Sequence, residues 1–162
     1  MEEKERKTSA PKINTRLRHN ILEMPPCIRN ASGIVIYGRR IKSIVFTTDL
    51  AIIRNCDADA VFAVYPFTPQ QVISDAIIKA SYIPVFCGVG GGTTILNVAC
   101  AQDTPEVVAD IRRKFPDIPI IASGEKSEES IMKTINAGAN AITYTPPSTQ
   151  DLFKEMMSKY RE

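Results

Sequence analysis

The sequence predicts an α/β fold in which a mainly parallel sheet is covered by helices. Three observations carry that reading. Short apolar runs rich in Val and Ile recur along the chain, with segments of helical apolar spacing between them. The runs are apolar throughout rather than alternating, as strands buried on both faces are. The order strand, helix, strand, helix makes neighbouring strands parallel, because each helix returns the chain to the end of the sheet where it began.

Composition bounds the function. A length of 162 residues fits one domain, and 44% apolar with 23% charged residues excludes a disordered chain. No run of 18 apolar residues is present, so no membrane-spanning helix is expected. The opening MEEKERKTSAPK lacks the apolar core of a secretory signal, and a cytoplasmic location is expected. Twenty basic residues against 18 acidic ones give no basis for nucleic-acid binding. Cys27, Cys56, Cys87 and Cys100 show neither CxxC nor zinc-finger spacing and are expected to be buried free thiols. The single histidine, His19, supports neither a metal cluster nor a Ser-His-Asp triad, so no metal site is expected.

Residues 1–12 are polar and read as a disordered arm; 13–162 read as one α/β domain. A short lead-in helix and a loop broken by Pro25-Pro26 come first. Gly33–Gly38 and Ile41–Thr47 are strand-like and too close for a crossover, so they form a hairpin, with Arg39 and Arg40 at its tip. Thr48 or Asp49 caps a helix through Asn55. Ala60–Tyr65 is a strand, and Pro69 opens a helix with Val72, Ile73, Ala76, Ile77 and Ala80 at helical spacing. Ile83–Gly88 and Ile95–Cys100 are strands. Asp103 or Thr104 caps a helix that turns Val107, Val108, Ile111 and Phe115 inward. Ile118–Ser123 is a strand, Ser127 caps a helix that Gly138 ends, and Ala141–Thr145 is the last strand. A final helix carries Leu152, Phe153, Met156 and Met157.

One junction breaks the alternation. Only Val89–Thr94 separates the strand ending at Gly88 from the one beginning at Ile95, and six residues cannot form a parallel crossover. The pair is antiparallel, or the second strand pairs elsewhere, including in another subunit, or a segment is missing. Counting favours the third outcome. Leaving the hairpin arm aside, three strands precede the junction and three follow it. An eight-stranded βα barrel needs two more, roughly 70 residues at about 30 per unit, which brings the chain near the usual barrel size of about 250.

The stretch Ile118–Ile142, reading IPIIASGEKSEESIMKTINAGANAI, resembles the seventh and eighth units of phosphate-binding (β/α)8 barrels, which carry "IPIIASGG", a helix, then "aGAdAI". Ile41–Gly92 and Ile95–Pro147 together resemble a bacterial barrel family that carries a generic hydrolase label. The resemblance spans roughly residues 13–162, breaks after Thr94 and implies an interrupted barrel lacking two βα units between 13–94 and 95–162. It also implies a phosphate site at the carboxyl ends of the strands.

Several residues fit such a site. Gly88, Gly90, Gly91 and Gly92, followed by Thr93 and Thr94, make a glycine-rich turn whose N–H groups can cradle an anion; it is neither a Walker loop nor a complete GxGxxG. Ser123, Gly124, Lys126 and Ser127 form a strand-to-helix turn that aims N–H groups at a phosphate. Glu125 stands where the resembled families have a second glycine, and its carboxylate opposes an anion. Thr145 ends the last strand with a hydroxyl, and Asn97 is polar in an apolar strand, as a residue facing a barrel interior is. Asp49, just beyond a strand, is a candidate general base or a helix cap, and Glu125 is a second acid–base candidate. The expected function is binding of a small phosphorylated metabolite, with hydrolysis implied by the resemblance. The alternatives are a non-catalytic ligand-binding or assembly protein and a flavin-phosphate (FMN) enzyme; otherwise no cofactor is indicated. A homo-oligomer is expected, to cover the edges of a cut barrel.

Overall fold

Six short strands pair in one parallel sheet in the computed structural model, which describes residues 22–68, 70–87 and 95–159. In chain order the elements are β1 (Ile34–Ile36), β2 (Arg39–Ile41), β3 (Ser43–Phe46), α1 (Leu50–Arg54), β4 (Ala60–Ala63), α2 (Gln71–Ala80) and β5 (Val85–Cys87). There follow β6 (Leu96–Ala99), α3 (Thr104–Lys114), β7 (Ile120–Ser123), α4 (Glu128–Asn136), β8 (Ala141–Tyr144) and α5 (Thr149–Lys159). The arm at 1–12, the lead-in helix before Leu22 and Pro69 lie outside the described residues.

The sheet order is β5-β4-β3-β8-β7-β6, and the sheet curls. The first strand of this sheet pairs with the last, as closure of a βα barrel requires. The strands flanking the junction, β5 and β6, lie at opposite edges. This is the order of a barrel opened where two strands are lacking, and the predicted α/β class holds. At the junction β6 pairs elsewhere, in parallel with β7 of the same chain. Eight residues link the two edges, which bounds their separation to about 30 Å.

The amino-terminal part departs from expectation in detail. Pro25-Pro26 starts a 3₁₀ turn over Pro26–Asn30 instead of breaking a helix into loop, since proline suits a first turn. The predicted hairpin forms, but its tip is Tyr37-Gly38, both at positive φ (48° and 75°), as a two-residue hairpin turn demands. Arg39 and Arg40 therefore belong to β2. The predicted strand Ile41–Thr47 is split at Lys42, where the chain leaves the hairpin and enters the sheet.

The two faces of the sheet are covered differently. Val45, Val61, Val98, Ile120, Ala122 and Ile142 point to the face where Ile52, Ile53, Ile77, Val108 and Ile131 of the helices pack. Ile44, Ala60, Ile121 and Ala141 point to the concave face, where Ile34 and Ile41 of the hairpin cover them. Each of these four is the first or second residue of its strand. The hairpin thus plugs the amino end of the concave face and leaves the carboxyl end as the place for a site. Phe115, predicted to face inward, is 57% exposed, because the helix ends at Lys114 and leaves it in the cap. Neither Asp103 nor Thr104 caps α3 through its side chain. The fully buried Thr104 instead accepts from Cys100 N (3.0 Å) and donates to Ser123 O (2.9 Å), tying the ends of β6 and β7.

Gly138 ends α4 as predicted. Its N–H reaches Ile135 O (2.9 Å) and the N–H of Ala139 reaches Thr134 O (3.3 Å), the pairing of a Schellman stop. Its φ of +112° suits only glycine, and an added Cβ would lie 2.9 Å from Arg112 Cγ. That arginine donates to the carbonyls of Gly138, Pro116 and Ile118 and to Asn140 Oδ1. Asn140 Oδ1 also accepts from Ile120 N (2.8 Å). Gly138→Ala is therefore expected to cost about 1–3 kcal/mol, read as a fall in the urea midpoint. Gly124→Ala, whose Cβ would meet nothing closer than 3.6 Å, is expected to leave that midpoint nearly unchanged.

Candidate functional site

At the carboxyl end of the sheet the register sets out the concave face. Phe46 pairs with Phe62 and Phe62 with Phe86, so three half-buried rings line the β3–β4–β5 side. The Phe46 and Phe62 rings meet edge to face at 5.9 Å. On the other side Ser123 pairs with Ala99, while Asn97, the second residue of β6, pairs with Ile121 toward the plugged amino end. Thr143 pairs with Ile44 on the same face. One half of this surface is aromatic and the other carries an amide and hydroxyls.

Thr143 is only 5% exposed, and its Oγ1 is buried without a hydrogen-bond partner. Buried hydroxyls are normally paired, so this one, level with Ile44 in the sheet, calls for a water or a ligand as its partner. No sequence argument singled out Thr143. The alternation Ala141-Ile-Thr-Tyr puts it on one face with Ala141, but which face is concave follows only from the helices packing on the other.

The turn after β7 lies beside this face. Ser123 is half-buried, while Gly124, Glu125, Lys126 and Ser127 are exposed. Ser127 caps α4 by accepting from Ser130 N (3.2 Å), as predicted. Glu128 and Glu129 follow in the first turn of the helix, and Glu129 pairs with Lys133 at 2.7 Å. Asn97 is exposed on the edge strand, facing the concave side, and Thr145 is exposed beyond β8. The structure thus gathers Asn97, Ser123, Gly124, Lys126 and Ser127 on the β6–β7 side. Gly88, Gly90, Gly91 and Gly92 lie outside the described residues.

Asp49 stands on the other flank. It caps α1, with Oδ1 accepting from Ala51 N (2.8 Å) and Ile52 N (3.4 Å). Its Oδ2 accepts from the Thr149 hydroxyl at the start of α5. The residue therefore clamps the loop after β3 to the loop after β8. The Thr149 hydrogen bond holds its carboxyl below the usual carboxylate range, outweighing the upward push of partial burial, and the two backbone donors act in the same direction. Sequence reasoning found the cap but not the clamp, whose partner lies a hundred residues away.

The thiols are less buried than expected. Cys56 is buried, Cys27 in the 3₁₀ turn is half-buried, and Cys87 is half-buried and Cys100 exposed because β5 and β6 are edge strands. Among the described residues no group of three His, Cys, Asp or Glu stands ready to hold a metal ion, and no helix is long and apolar enough to cross a membrane.

A cavity of about 260 Å³ opens at the opposite, amino end, beside Arg29, Arg40, Lys42, Asp57 and Asp59. Its polar groups hold the fold. Asp59 Oδ2 accepts from Lys42 N, Ser43 N and Ser43 Oγ, Asp57 Oδ1 accepts from Met24 N, and Lys42 Nζ and Arg40 donate to the carbonyls of Arg29 and Ser32. This is the stability end of a βα architecture.

Comparison with protein-family models and with curated proteins finds no match to this sequence. The curled parallel sheet, whose first and last strands pair, is compatible with an incomplete βα barrel.

The Asp49 clamp has a pH signature. A carboxyl depressed in the folded state adds stability above its ordinary pKa of about 3.9, and that stability is lost as pH falls through the folded value. Thr149→Val is expected to lower stability by up to about 1 kcal/mol at pH 7, a charged hydrogen bond discounted for solvent exposure. The difference from the parent should shrink as pH falls below about 3.9 and through the folded value. A series of urea melts from pH 7 downward checks both arms.

Proposed function

We propose that the protein binds a small phosphorylated metabolite at the carboxyl ends of β7, β8 and β3. The observation that carries the reading is the buried Thr143 hydroxyl, which lacks a partner within the protein on the face where a βα architecture places its ligands. A phosphate oxygen supplies the missing acceptor once the side chains over it yield. The exposed Gly124–Ser127 turn supports the reading, since the amino end of α4 presents N–H groups to an anion and Lys126 adds a cation. The row of Phe46, Phe62 and Phe86 offers an apolar wall for the rest of the metabolite.

Charge sets the affinity. Glu125, Glu128 and Glu129 oppose an anion at the same turn, and among the described residues Glu129 pairs with Lys133. Asp49 contributes by holding α5 against the loop after β3 through the hydrogen bonds that both its oxygens accept. Binding is the activity proposed.

Calorimetric titration with inorganic phosphate and with glucose 6-phosphate tests the reading. Lys126→Ala is expected to weaken binding about tenfold and Glu125→Gly to strengthen it by a similar factor, the scale of one charge-assisted contact. Thr143→Val, which keeps the shape and removes the hydroxyl, is expected to weaken binding with little change in stability. No binding of either probe, or equal binding by all three variants, would overturn the proposal.

A further inference from the structure

Among the described residues the two edges of the sheet are guarded only by being short, at three and four residues. β5 reads Val-Phe-Cys and β6 reads Leu-Asn-Val-Ala, with no charge and no proline, and both pair in unbroken register with no bulge. Exposed edges of that kind recruit strands unless they are guarded. All three residues of β5 are half-exposed, whereas β3, β4, β7 and β8 each bury three of four. Beside β5, the outer side of α2 leaves Val72 70% and Ile78 48% exposed, and the preceding loop leaves Phe67 75% exposed. The apolar cover is thus incomplete along one line, from sheet edge to helix.

We infer that a second copy of this chain supplies the cover, with β5 of each copy pairing in parallel with β6 of the other. The sheet itself favours this occupant. All its strands run in one direction, so two copies related by a two-fold axis along the strands keep every strand parallel. Each copy has one free β5 edge and one free β6 edge among its described strands, so the same axis joins both seams and leaves none open. A partner of another sequence would have to bring two free parallel edges of its own. The assembly is a closed barrel of six strands from each copy, with its carboxyl end still open to ligand.

Native thiols report the seam. Cys87 ends β5, and Cys100 directly follows β6, so the two stand at the same end of the pairing edges. Cys87 shares its face with Val85, and Cys100 is two residues beyond Val98; both valines belong to the core under the helices. Parallel pairing brings Cys87 of one copy beside Cys100 of the other.

The test uses the full chain. Light scattering is expected to give twice 17.9 kDa, and a short bis-maleimide is expected to link Cys87 of one copy to Cys100 of the other. Ala99→Lys, at an exposed position of β6, places a charge on the edge. It is expected to keep the circular dichroism of the parent and weaken dimerisation at least tenfold. A monomer at all concentrations, a Cys87–Cys100 link within one chain, a dimer whose link joins Cys87 to Cys87, or open-ended assemblies would each overturn the inference.

Discussion

The parallel ladder between β3 and β8 is the interaction on which the molecule depends. It is the one strand pairing that joins β3–β5 to β6–β8, and it links residues about a hundred positions apart. Such a pairing is entropically costly until many contacts form together. The surrounding structure supplies them at both ends. At the amino end, Asn140 accepts from Gly33 N through its backbone carbonyl and donates through its side chain to Ser32. At the carboxyl end, Asp49 and Thr149 bridge the loops that leave the same two strands.

This arrangement sets the stabilising polar contacts at one end of the strand axis and the proposed site toward the other. The hairpin, the 3₁₀ turn, Arg112 and Asn140 all work at the amino end, where Lys42, Asp59, Arg112 and Asn140 find partners inside the protein. The carboxyl end holds Thr143, the orphaned hydroxyl among the described residues, and the exposed turn before α4. A fold that satisfies these groups at one end and leaves a buried hydroxyl unsatisfied toward the other has the polarity expected of a ligand-binding βα sheet.

Much of the fold was legible in the sequence because local rules govern it. Apolar runs marked the strands, Ser127 and Asp49 marked helix starts, and Gly138 marked a stop that only a positive φ permits. The errors arose where tertiary context overrides local signal. The run Ile41–Thr47 has no internal breaker, yet it divides at Lys42 because Ile41 is needed over the concave face and Ser43 in the sheet. Thr104 was expected to cap its own helix and instead binds two strand ends, a choice that depends on where β7 lies.

The candidate site divides in the same way. Its turn residues, Ser123 to Ser127, were readable because a glycine between a strand and a capped helix is a local pattern. The grouping of Asn97, Ser123 and Thr143 on one face was not, because alternation along a strand says which residues share a side and not which side is concave. By itself the sequence determined most of the elements, their order and the mainly parallel sense of the sheet, since periodicity and crossover length are properties of neighbouring residues. Only the tertiary structure decided that β6 lies at the far edge from β5, that the hairpin fills one end of the concave face and that Asp49 meets Thr149. Those outcomes rest on which apolar faces bury against each other, and that is settled between residues distant in the chain.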